Sequence, residues 1–142
     1  MEAPMEWEEL VAAAGTSIAY IGTADRRGAP HVAVVMPGFV DGALWFVTRR
    51  HSRKYRNLEE NPEAAFHWPV DGGGPGELIA RGVAELHADE GSRRELWGAG
   101  LVAFDLDAFF GGPDNPDVAF VEVPIRRARL LTADFRPHVY TP

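Results

Sequence analysis

The chain has 142 residues, enough for one compact core and short for two. Its 14 Lys and Arg against 21 Asp and Glu leave a formal charge of −7, which works against non-specific nucleic-acid binding, where phosphate neutralisation supplies most of the affinity. The absence of cysteine excludes disulfides, thiolate metal sites and a cysteine nucleophile, and a hydrophobic content of 46% excludes wholesale disorder.

The start, Met1-Glu2-Ala3-Pro4-Met5-Glu6, is acidic and lacks the basic and apolar regions of a secretory signal. No apolar run approaches the roughly 20 residues that cross a bilayer. A cytoplasmic protein with neither membrane nor nucleic acid as partner is expected.

Trp7, Leu10, Val11 and Ala14 recur at helical spacing before Gly15, so residues 5–14 are predicted as a short amphipathic helix. Ser17 to Ala24 reads as a strand, Asp25-Arg26-Arg27-Gly28 as a turn, and His31 to Met36 as a second strand closed by Pro37-Gly38. Asp41-Gly42 is the strongest hairpin signal, with Leu44 to Thr48 following it. Three strands in succession predict an antiparallel meander. Ser52 is a good N-cap for a helix that runs to Asn61-Pro62. Ala64 to Trp68 returns to strand, Asp71 to Gly76 is a flexible loop, and Leu78 to Leu86 is one long strand. Glu90 to Trp97 and Phe104 to Phe110 read as helices, and Val118 to Val123 and Ala128 to Thr132 as the last strands. The sum is a mainly β fold: one domain, 1–142, with an N-terminal helix in 1–15, a barrel core in 17–87, and helices with closing strands in 88–142.

The stretch Leu44 to Lys54 carries the chemistry. An apolar strand ends in Thr48, a basic turn follows, and a helix opens on Ser52-Arg53-Lys54. Free N–H groups at a helix start, two hydroxyls, a forked guanidinium and an ammonium together make an anion site. The alternative is a solvated basic face, and the strand–turn–helix context favours the site.

The ordered set Ile18 to Val35, Asp41-Gly42, Thr48-x3-Ser52-Arg53-Lys54, Asn61-Pro62 and Gly82-Val83-Ala84 resembles the pyridoxamine-phosphate-oxidase-like, FMN-binding split barrels over about residues 17–87. The later segment Trp97 to Pro116 is similar to their general stress protein branch. The resemblance implies a split barrel of about six antiparallel strands and a flavin-binding redox function on an unknown small-molecule electron donor or acceptor. It places the FMN phosphate at Thr48, Ser52, Arg53 and Lys54, with Val47 beside them, and the isoalloxazine ring along His31, Val32, Ala33 and Val34. It further implies a homodimer with the cofactor at the interface. FAD, deazaflavin F420 and haem are the alternative cofactors, and a non-catalytic binding or stress-sensing module is the alternative function. Because the second strand is Val32-Ala33-Val34-Val35, without basic residues, a true pyridoxamine phosphate oxidase is not expected. Glu77 falls where relatives place an uncharged amide near the flavin.

The five histidines, His31, His51, His67, His87 and His138, show no paired metal spacing, so no metal site is predicted. His31 and His67 are the candidates for a haem axial ligand. Trp45, Trp68 and Trp97 are read as core aromatics, with Trp97 the one placed to reach a partner's pocket.

Overall fold

A computed structural model describes residues 2–15, 18–70 and 74–142. In chain order the elements are β1 (Ala3–Pro4), α1 (Trp7–Ala14), β2 (Ala19–Ala24), β3 (Pro30–Val35), β4 (Gly38–Val40), β5 (Ala43–Arg49), α2 (Arg53–Glu60), β6 (Glu63–Pro69), β7 (Glu77–Val83), β8 (Glu85–His87), α3 (Glu90–Trp97), α4 (Leu106–Phe110), β9 (Val118–Leu131) and β10 (Pro137–Tyr140).

Strand alternation explains the barrel. In β2, Ala19, Ile21 and Thr23 are buried while Tyr20 is exposed, the period-two pattern of a strand with one wet face. Hydrogen bonding runs β3–β2–β6–β7–β9 and then β9–β5–β4, antiparallel throughout. The ring closes covalently, because β3 passes into β4 through Met36-Pro37. The ring therefore has six walls, β2, β3 with β4, β5, β9, β7 and β6.

β9 is the shared wall. Residues 118–124 pair with β5, and residues 125–131 pair with β7. The transition falls at a register shift between Arg81 and Gly82, a bulge that bends β7 and lets β8 continue along the same edge. Gly82 is required there, since a Cβ on it would lie 2.2 Å from the Pro124 carbonyl oxygen and 2.9 Å from Val123 Cγ1.

Two cores result. Inside the barrel lie Trp68, Phe46, Phe66, Ile21, Leu44 and Leu78, with Leu10 and Ala14 of α1 and Leu58 of α2 closing the ends. Outside β5 and β9, Trp45, Val47, Val118 and Phe120 pack under Leu101, Leu106 and Trp97. β5 is consequently buried on both faces. Helix α2 docks through buried Asn57, whose side-chain amide donates to Thr23 Oγ1 at 3.0 Å.

The mainly β fold and the ring of six antiparallel walls match the expectation. The Asp41-Gly42 hairpin is present, with φ of 48° and 85° at the two turn residues. Four local expectations are corrected. The meander is broken, because the chain changes sheets at Met36-Pro37 and β5 pairs with β9 instead of β3. Leu78 to Leu86 is two strands, split where β7 meets the bulge. The two final strands are one, because Pro124 lies at the sheet change and its lost N–H is tolerated there. The short strands β1, β4 and β10 were not foreseen. Ser17 and the first part of the glycine loop, residues 71–73, lie outside the described residues.

Gly82→Ala is expected to destabilise the fold by about 3 kcal/mol, because the added carbon meets backbone that cannot step aside. The check is a lower urea midpoint at unchanged m-value.

Candidate functional site

The end of β5 is pinned before α2 begins. The N–H of Arg50 donates to the Asp117 carbonyl at 2.6 Å, and the N–H of His51 donates to Asp117 Oδ1 at 3.2 Å. The other carboxylate oxygen meets His51 Nδ1 at 2.5 Å and lies 4.0 Å from the Arg49 guanidinium. Asn115 orients Asp117 in turn, its side-chain oxygen accepting from the Asp117 N–H at 3.0 Å. One carboxylate thus holds a turn carrying three cationic or titratable side chains.

Ser52 then caps α2, its hydroxyl oxygen accepting from the Tyr55 N–H at 3.3 Å, with Thr48 Oγ1 3.4 Å from the same oxygen. An α-helix leaves its first N–H groups without intrahelical acceptors. Ser52 takes that of Tyr55, and the amides of Arg53 and Lys54 remain at the positive end of the helix dipole. Lys54 is half-buried, and that burial holds its ammonium below the usual lysine range. Among the described residues no carboxylate forms an ion pair with it. A desolvated cation without a counter-ion beside two hydroxyls is an arrangement that an anion stabilises.

These groups open on a cavity of about 410 Å³. Its polar end is Thr48, Ser52, Lys54, Arg49 and His51. The rest is apolar: Ile18, Val34, Val35, Met36 and Val47 on the barrel side, and Phe104, Phe109 and Phe110 opposite. The aromatic wall is itself braced. Phe104 and Phe109 meet edge to face at 5.1 Å, and the Arg49 guanidinium sits 5.2 Å over the Phe110 ring while donating to the Phe109 carbonyl. One anionic tail and one flat apolar body fit such a space.

Of the residues named from the sequence, Val34, Val47, Thr48, Ser52 and Lys54 border this cavity. His31, Val32, Ala33 and Arg53 do not. Strand geometry explains the difference on β3. Only its C-terminal end, running into Met36, reaches the cavity, and His31 is paired with Thr23 near the other end. Val32 points outward and is 68% exposed. Arg53 is exposed at the helix start, outside the cavity. The aromatic wall, Met36 and Asp117 were missed as site residues. The Phe109-Phe110 doublet was the available signal, but its distance from residue 48 along the chain hid its place.

The remaining residues separate. His67 lies on the outer face of β6, 3.7 Å from Glu77. Trp97 is partly buried: its indole N–H donates to Asp107 at 3.0 Å and its ring packs edge-on against Phe120. Trp68 is fully buried, as read from the sequence. The outer face of β2, β3 and β7 exposes Ile18, Tyr20, Val32, Val34, Met36 and Ile79, and three of these border the cavity.

No helix among the described residues is long and apolar enough to cross a membrane. The chain is similar to a pyridoxine/pyridoxamine 5'-phosphate oxidase of Anaeromyxobacter dehalogenans, 50% identical over 55 residues. That stretch is 37% of this chain and 28% of the relative, so the chain matches well under a third of that protein. Among solved structures, General Stress Protein 26 from Bacillus anthracis superposes with a TM-score of 0.68 at 19% identity, covering 94% of this chain and 98% of that one. A heme-binding protein from Mycobacterium smegmatis gives 0.73 at 22% identity, over 93% of this chain and 55% of that one. An F420 reductase gives 0.63 at 21%, over 89% and 98%. At these identities the likeness is one of fold. The sequence model of the family described as "Pyridoxamine 5'-phosphate oxidase" matches residues 6–132, and the chain belongs to that family.

Proposed function

We propose that the protein binds a flavin, FMN first among them, and works as a redox protein on a small molecule. The observation that carries this reading is half-buried Lys54, without an ion pair among the described residues, at the Ser52-capped start of α2, opening on an aromatic-walled cavity. Lys54, Ser52, Thr48 and the first amides of α2 would hold the phosphoryl tail. Phe104, Phe109 and Phe110 would shield the ring from water, and Val34 to Met36 would form its other wall. A bound flavin supplies the hydride or electron transfer, so no side chain has to serve as nucleophile.

Several features narrow the reading. The cavity offers one cationic end at Lys54, and the other cation that borders it, the Arg49 guanidinium, is engaged by Asp117 and Phe110. Among the described residues this chain's lining offers no second free cation for a substrate phosphate beside a cofactor phosphate, which supports a substrate other than a vitamin B6 phosphate. The exposed apolar face that borders the cavity supports a homodimer in which a second copy covers the open side. A deazaflavin would use the same phosphoryl end. Haem would need a histidine, and neither His31 nor His67 borders the cavity.

Lys54→Ala is expected to weaken FMN binding by about 1.5–3 kcal/mol, the range of one charge-assisted hydrogen bond, and Arg53→Ala by less, because Arg53 lies outside the cavity. The double variant should lose about 2–5 kcal/mol. Titration of flavin fluorescence quenching measures each, and unchanged affinity in Lys54→Ala removes the site. Since burial lowers the Lys54 pKa, the lysine loses its charge at a lower pH than its ordinary 10.5. FMN affinity should therefore fall as alkaline solution passes that lowered value, and Lys54→Arg should abolish that component of the fall.

Light scattering at micromolar concentration should give a dimer, and Val32→Glu, on the exposed face away from the cavity, should shift it toward monomer. A monomeric parent protein would contradict the pairing. The absorbance spectrum of the purified protein separates flavin, deazaflavin and haem. Bleaching by a reduced nicotinamide separates a reductase from an inert binder.

A further inference from the structure

A second cluster shares no residue with the cofactor cavity. β8 and β9 are hydrogen-bonded neighbours, and their register sets Glu85 directly opposite Glu122. Like charges directly opposite on adjacent strands are destabilising, so the fold holds a local conflict here. Among the described residues the conflict is answered by His87, whose Nε2 lies 3.0 Å from Glu122 Oε1. Among the described residues Glu85 has neither an ion pair nor a side-chain hydrogen bond. The imidazole does not swing freely, because its ring stacks on buried Trp45 at 5.6 Å and 25°.

We propose that Glu85, His87 and Glu122 form a binding site for a divalent transition-metal ion, with Zn²⁺ the ion it takes most readily among the common physiological ones. Their ligand atoms, one imidazole nitrogen and two carboxylate oxygens, all lie within 4.8 Å of one another. Zinc bonds nitrogen and carboxylate oxygen at about 2.0–2.2 Å, so donors on one ion stand roughly 3–4 Å apart, and small side-chain rotations close the set. An imidazole with two carboxylates suits zinc better than magnesium or calcium, which take oxygen ligands. The ion would neutralise the opposed glutamates, which gives the conflict a physical resolution. Three protein ligands leave at least one position for water or an exogenous ligand. The strand pair is hydrogen-bonded and the imidazole is braced by Trp45, so most of the ordering is already in place. The His87 and Glu122 side chains are 31% and 26% exposed, which leaves a path for entry.

The test is Zn²⁺ titration of tag-free protein by calorimetry, with melting temperatures recorded with and without the metal. One ion per chain is expected, at micromolar affinity, with a higher melting temperature in its presence. Glu85→Gln should weaken Zn²⁺ at least tenfold while leaving the metal-free melting temperature unchanged or raised, since it removes a like charge and no bond. A merely structural His87–Glu122 pair predicts no effect of Glu85→Gln on metal affinity. Glu122→Gln provides the second reading if the first variant is ambiguous, and should also weaken binding tenfold. Absence of one-to-one binding below millimolar Zn²⁺, or affinity unchanged in both variants, overturns the site.

Discussion

The close approach of Gly82 to the Pro124 carbonyl is the constraint on which the rest of the architecture depends. At that point β9 changes partners, from β5 on its first half to β7 on its second. A side chain on residue 82 would force the strands apart where one sheet becomes the other. Because the approach is allowed, a single 14-residue strand serves both halves, and the barrel closes with the outer core still attached. β5 inherits burial on both faces from the same geometry, which is why its run from Ala43 to Thr48 is almost wholly apolar.

The site is built at the end of that doubly buried strand. When β5 leaves the two cores it delivers Thr48 to their common edge, and Asp117 stops the basic turn from spreading into solvent. Helix α2 begins there, fixed from below by Asn57 on Thr23 and at its start by Ser52. The protein is acidic, so a half-buried ammonium with no ion pair among the described residues is a local exception, maintained by packing against the electrostatic trend. The desolvation that depresses the Lys54 pKa would strengthen its Coulombic attraction to any anion placed there.

The outer surface is used unevenly. One sheet face, from Ile18 across β3 to Ile79, exposes six large apolar side chains beside His67, three of them bordering the cavity, whereas the face formed by β8 and the first half of β9 carries two opposed carboxylates and an imidazole. The first is open to solvent in the single chain. The second is a charge conflict that neutral packing would not produce. Both follow from strand register, which sets side chains distant in sequence shoulder to shoulder at fixed height.

Local signals carried much of the fold. Ser52 as a cap, Asp41-Gly42 as a turn, and the alternation in Ala19 to Thr23 were legible, because capping, positive φ and period-two burial depend on neighbours in the chain. The Thr48, Ser52 and Lys54 end of the cavity was legible for the same reason, lying within one strand–turn–helix unit. Other features required the assembled barrel: the exclusion of Arg53 from the cavity, the aromatic wall from residues 104–110, the splitting of Leu78 to Leu86, and the meeting of His87 with Glu122. Each depends on which strand lies beside which. That pairing is decided by closure of the whole sheet, and spacing along the chain does not encode it.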